Sequence, residues 1–315
     1  TDGPGNVLIG RSAGGAMTTG DYNIAIGFQA ADAMTGNSDQ NIAIGINALG
    51  AEASGADYCV AIGADALATQ NHADAINLAI GQVAGYAITS GTKNVLIGHN
   101  AGQTIADDSH NTALGYNALK AATAGDGNIA VGSYAMGLGA VTGSNNVCVG
   151  RLAGYDITAG DSNVMVGRSA GANVTTGKQN VIIGLDACGL GVLANASSTE
   201  GMYNVVVGPG AGYDLTTGQS NVLLGKDAGA NFTDNYQNVA IGSYALDNAN
   251  TGEHANIAIG VHAMGTETSA ANYCVAVGHN ALAVQNANVK NTAIGGLAGD
   301  AITSGTQNTF VGYLA

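Results

Sequence analysis

The stretch NVLIG at residues 6–10 returns as NIAIG at 23–27 and at 41–45, then as CVAIG at 59–63. Further copies start at Asn77, Asn94, Asn111, Asn128, Asn146, Asn163, Asn180, Asn204, Asn221, Asn238, Asn256, Cys274, Asn291 and Asn308. The 18 starts lie 17 or 18 residues apart, except for one step of 24 from Asn180 to Asn204, whose extra residues fall in Leu193 to Met202. With the Asn as position 1, position 5 is Gly and position 8 is Ala in all 18 copies. Position 4 is always Ile, Val or Leu; position 2 is too, apart from Thr112, Thr292 and Thr309. Self-similarity at a fixed period is the mark of a repeat architecture.

A short aliphatic run, mostly β-branched and closed by Gly, reads as a strand. A period of 17–18 residues is too short for two packed helices and suits one coil of a parallel β-solenoid, a β-roll or β-helix. The fold class is therefore all-β. Residues 1–315 read as one repeat domain of about 17 coils, a rod on the order of 80 Å long at the spacing of stacked strands. The segment Leu193 to Met202 reads as a loop bulging from one coil. The position-5 glycines, Gly10, Gly27, Gly45 and their successors, mark a corner that needs positive φ or has no room for a Cβ. The Asn column, beginning Asn6, Asn23 and Asn41, forms either a ladder of stacked amides or a set of turn caps.

Composition agrees. Gly makes up 50 of 315 residues, 10% are charged, Trp is absent and only two Pro occur. Near-absence of Pro excludes collagen, and 46% apolar residues exclude disorder. No run of about 18 apolar residues offers a membrane span. A net charge of −14 without a Lys/Arg cluster argues against nucleic acid as a partner.

Two further patterns concern packing. Wherever position 9 is Gly, position 12 is bulky: Met17, Ile88, Ile105, Ile157, Val174, Leu215, Phe232 and Ile302. Wherever position 9 is Leu or Met, position 12 is not bulky: Glu52, Gln70, Ala122, Gly139, Ala249, Glu267 and Gln285. The two positions are alternative donors to one hole in a close-packed core, which predicts two coil types with differently running return segments. Position 3 is apolar in every copy, among them Leu8, Ala43, Leu96, Cys148, Met165, Ile182, Val206, Leu223 and Phe310. Strand residues alternate between faces. With positions 2 and 4 filling the interior, position 3 is expected to face out and to be covered by copies of the same chain, as a homotrimer about an axis along the rod.

The unit resembles two sets of tandem repeats. Its strands are similar to those in the β-roll heads of trimeric autotransporter adhesins. Residues 111–119, NTALGYNAL, with the TTG turns at Thr18, Thr175 and Thr216, resemble the NTAIGxxAL/TTG arrays of phage tail fibres and bacterial surface fibres. The likeness spans essentially the whole chain. It implies an extracellular, cell-surface or virion-borne fibre, self-assembled, used for attachment, and without catalysis.

A longer period of about 215 residues relates Asn6, Asn41 and Cys59 to Asn221, Asn256 and Cys274. The chain begins and stops mid-coil with no polar cap, which suggests an excerpt of a longer filament and allows end-to-end stacking. The four Cys show no zinc spacing. Cys59 and Cys274, roughly 58 Å apart at strand spacing, cannot pair within a chain; Cys148 would meet its copies near the axis. The six His have no ligand spacing, and no nucleophile motif or phosphate loop stands out. No enzyme activity, metal or cofactor is expected. Tyr155 with Asp156, and Tyr213 with Asp214, recur in Gly-Tyr-Asp turns; they are solvated turn residues or, together with positions 6 and 7 and the Leu193 to Met202 loop, a surface for cell-surface glycans. The expected function is a structural fibre shaft, with a glycan-binding adhesin as the alternative.

Overall fold

The structure is a computed structural model and describes residues 3–51, 55–194, 201–249, 252–266, 271–285 and 290–315. Glu52, Glu267 and most of the expected loop, residues 195–200, lie outside the described residues. The chain divides into two compact units, residues 1–152 and 153–315. Each is a stack of parallel-strand coils. The first carries nine three-residue strands from β1 (Val7–Ile9) to β9 (Val147–Val149), and the second nine from β10 (Val164–Val166) to β18 (Thr309–Val311). Within each unit, consecutive strands pair in parallel and in register: Leu8 faces Ala25, Ala25 faces Ala43, and Val206 faces Leu223. This is the all-β solenoid expected from the repeat; no helix occurs among the described residues.

Every coil bends at the same four places. Position 5 has φ between 129° and 144° in all 18 copies. The residue before position 1, position 7 and position 9 have φ near +50° to +75°, whatever the side chain. These are two distinct demands. The left-handed region near +57° costs an ordinary residue roughly 1–2 kcal/mol, and Tyr58, Asn47 and Leu49 accept it. The region near +135° is essentially closed to a side chain. Stacking closes it a second time: a Cβ on Gly81 would lie 2.5 Å from the carbonyl oxygen of Gly98 in the next coil. The invariant Gly is therefore required by both conformation and space.

The strand faces are the reverse of expectation. Position 3 points into the coil: Ala43, Leu96, Cys148, Met165, Ile182, Val206 and Leu223 are fully buried within the single chain, and Leu8 and Phe310 on the terminal strands are partly covered. Positions 2 and 4 point outward and stay half-exposed or exposed, as Ile24 and Ile26 do on either side of the buried Ala25. The alternation holds, but the interior is too thin for two large residues per strand. It takes position 1, position 3 and the Ala at position 8, all three of which are buried in most coils.

The remaining interior space is one hole per coil, filled as the sequence implies. A Cβ on Gly85, at position 9, would meet Leu67 at 2.9 Å, Ile88 at 3.1 Å and Leu96 at 2.8 Å. Ile88 is the bulky position-12 residue of the same coil, and Leu67 is the position-9 residue of the coil before. Position 12 thus reaches over the glycine into the slot that Leu67 fills in its own coil. The expected difference in the return segment is found in the Met136 coil, which turns over 133–136 and bends early, at 138–139, but not in the coil of Leu119. The Leu119 coil turns over residues 116–121 and bends at 123–124, as the Gly85 coil turns over 82–87 and bends at 89–90.

Leu119 and Ala122, both fully buried, make this exchange testable. Leu119→Gly is expected to lower unfolding free energy by about 2–4 kcal/mol, a cavity cost partly offset by the ease of Gly at positive φ. Adding Ala122→Ile should recover most of the loss in denaturant titrations, because the backbone already matches that of the Gly85 coil.

Candidate functional site

The Asn column is both ladder and cap. Its Oδ1 accepts the backbone N–H of the next coil's position 1, as in Asn23 to Asn6 at 2.8 Å and Asn221 to Asn204 at 3.1 Å. In most coils its Nδ2 donates to a carbonyl at the end of its own coil, as from Asn94 to Asp108 at 2.9 Å, whereas the buried Nδ2 of Asn111 has no partner. Amide-to-amide bonds add to this, as from Asn41 to the Oδ1 of Asn23 at 3.2 Å. Buried amides satisfied in this way are stabilising, whereas one left unpaired costs about 1–3 kcal/mol.

The two Cys in this column reveal how tightly it is held. Where Cys59 removes an amide oxygen, the buried Gln70 supplies one: Asn77 Nδ2 donates to Gln70 Oε1 at 2.7 Å. Where Cys274 does so, Asn291 donates to Gln285 at 3.2 Å, and Gln285 Nε2 donates to the Cys274 sulfur at 3.0 Å. Both Gln stand at position 12, so a core-filling position is given over to ladder repair. All four Cys are buried thiols outside any disulfide. Burial alone pushes the Cys148 and Cys188 thiols up to about 12, which keeps them protonated and unreactive.

The outward columns are the largest unassigned surface. Positions 2 and 4 hold 36 residues, of which 33 are Val, Ile or Leu and three are Thr, with no charge among them. Val95, Leu114, Ile129, Ile183, Val205, Ile257 and Ile294 are each more than a third exposed. Nine strands at ~4.8 Å and three residues at ~3.3 Å give each unit a flat aliphatic face on the order of 400 Å². The largest apolar patch on an ordinary monomer is of similar size and often functional; what sets this one apart is that no charge interrupts it at any coil.

The Gly-Tyr-Asp turns are not brought together. Tyr155 and Asp156 occupy positions 10 and 11 of one coil, Tyr213 and Asp214 the same positions three coils on. All but the exposed Tyr213 are half-buried, and both Asp backbone N–H groups are tied into the coil stack, to Ala172 and Ala230. Tyr213 lines a hollow together with Leu185 and Pro209. Among the described residues, no cluster of three or more His, Cys, Asp or Glu is placed to hold a metal ion, and no helix is long and apolar enough to cross a membrane.

Burial raises the pKa of four carboxyl groups, Asp108, Asp156, Asp247 and Glu253. Glu253, whose ordinary value is 4.5, is buried against Asn235. Asp108 and Asp247 each have one buried carboxyl oxygen without a hydrogen-bond partner. No family model matches the chain, and no curated protein sequence matches it.

A raised carboxyl pKa means that the folded chain binds more protons than the unfolded one. Stability from these groups is therefore complete below the unfolded pKa and lost as pH rises through the folded one. Glu253→Gln, which keeps the acceptor for Asn235, is expected to raise the melting temperature at pH 7. The gain should shrink towards pH 4.5, as thermal melts across that range would show. For the ladder, Gln70→Ala should cost about 1–3 kcal/mol, and Cys59→Asn in the same chain should return most of it.

Proposed function

We propose that this chain is a structural fibre shaft that assembles with copies of itself as a trimer, at a cell surface or on a virion, and does no chemistry. The observation that supports this most directly is the uncharged outer face formed by positions 2 and 4. Solvent-facing sheet surfaces normally carry charged or polar residues that suppress association. Here selection for solubility would have had 36 places to put a Lys or Glu, and none carries one.

Each unit repeats the same two columns at every coil, so copies related by rotation about an axis along the stack match one another coil for coil. A cyclic arrangement lets column 2 of one chain meet column 4 of the next, a heterologous contact that closes into a ring. The interface is thus assigned to positions 2 and 4, in place of the position-3 residues now found inside the coil. Coils that hydrogen-bond only to their neighbours add length at ~4.8 Å each, an economical way to gain reach from 17 residues at a time. The resemblance to fibre and adhesin repeats points the same way.

The test is oligomeric mass. Light scattering on the purified chain should give three times the chain mass, and Ile26→Lys with Ile44→Lys should yield monomers with an unchanged β signature in circular dichroism. A wild-type monomer at micromolar concentration overturns the proposal.

A further inference from the structure

Position 7 carries a side chain in every coil but one. Most of these residues sit at φ near +55° on the outer turn, where they stack as a column: Asn47 Nδ2 donates to Asp65 Oδ1 at 2.8 Å, and Asn100 Nδ2 to Asn117 Oδ1 at 2.9 Å. In the coil that starts at Asn204 the column is broken by Gly210, with φ +65°. Beside it lies a hollow of about 330 Å³ lined by Leu185, Asp186, Pro209, Tyr213, Asp227 and Ala230. These residues come from positions 6, 7 and 10 of three successive coils in the second unit. Asp186 and Asp227 stand on either side of the gap, and a Cβ on Gly210 would collide with Oδ1 of Asp227.

The chemistry of the lining is specific. Each carboxylate already has a cation: Arg168 lies 3.5 Å from Asp186 Oδ2, and Lys226 lies 3.3 Å from Asp227 Oδ2. The hollow is thus close to neutral while still presenting carboxylate oxygens as strong acceptors. Two carboxylates already paired are a poor cage for a divalent cation, which takes six to eight oxygens as calcium or an octahedron as magnesium. An anionic ligand would meet both carboxylates. What fits is a neutral molecule with an apolar side and a rim of hydroxyl donors. Leu185, Pro209, Ala230 and the Tyr213 ring supply the apolar wall, and the volume is at the small end for ligand pockets, room for a single ring.

We propose that this hollow binds one neutral pyranose ring, its C–H face against Tyr213 and Pro209 and its hydroxyls donating to Asp186 and Asp227. The site lies within one chain, so it does not depend on trimer formation.

The experiment is saturation-transfer NMR and titration of the purified chain with the methyl pyranosides of glucose, galactose and mannose, with N-acetylneuraminic acid as the anionic probe and calcium chloride as the cation probe. At least one neutral pyranoside should bind in the millimolar range. Gly210→Asn should weaken it at least tenfold, because its side chain must push the Asp227 carboxylate out of the place it occupies beside residue 210. An unchanged β signature in circular dichroism and an unchanged oligomeric mass check that this substitution leaves the fold intact. Tyr213→Ala should weaken the same ligand. The proposal is overturned if no neutral pyranoside binds, if Gly210→Asn binds as well as the parent, or if calcium or the acidic sugar binds more tightly at this site.

Discussion

Each coil has a narrow interior, which takes one filler from position 9 or 12 beside a position-3 residue whose size varies with it. A coil of 17 or 18 residues must turn back on itself within about 5 Å of the next one, so its opposite walls lie close together. That thinness dictates the inward set: an amide at position 1, a residue of variable size at position 3, Ala at position 8, and one filler from position 9 or 12. It also dictates the glycine at position 5, where the carbonyl of the neighbouring coil occupies the place of a Cβ. The left-handed residues at three further positions per coil are a conformational cost. They are tolerated because each lies in a stack whose hydrogen bonds and packing fix it from both sides.

The period, the strands and the exchange between positions 9 and 12 were all legible, because stacking writes the same demand into every copy. The parity of the strand was legible too, but not which parity faces in. Positions 2 and 4 carry the bulkier residues, and bulk usually marks a core; in this coil it marks the outside. The correct face had a signal of its own. Position 3 is Ala in all seven coils with Leu or Met at position 9, and is larger in six of the eight with Gly there. Two positions that trade volume in this way share a cavity, so position 3 had to be inside with position 9.

The same logic explains why the Cys at the head of two coils was harder to interpret than the Asn they replace. A thiol in the Asn column looks like a lapse in the repeat. The compensation sits eleven residues away, in Gln70 and Gln285, and becomes visible only once the coil folds position 12 back towards position 1. Buried amides impose this because an unpaired one has no water to fall back on. The hydrophobic column at position 3 obeys a looser rule, varying among Ala, Leu, Met, Ile, Val, Cys and Phe as position 9 varies.

Departures from the repeat therefore differ in meaning according to the face on which they occur. Inside the coil, a changed residue must be answered by another, since volume and hydrogen bonds have to balance within one or two coils. Gln70 and the bulky position-12 residues are such answers. Outside, nothing enforces a balance, and an unanswered change persists only as an accident or for what it presents to a partner. Gly210 is the outward example: a Cβ there would meet Asp227 Oδ1 at 2.2 Å, so the next coil's carboxylate leans into the vacated place, and a hollow lies beside it. The aliphatic columns at positions 2 and 4 are the opposite case, an outward surface kept uniform where no packing within the chain requires it. That uniformity is what the proposed self-assembly rests on, since another copy of this solenoid repeats at the same spacing.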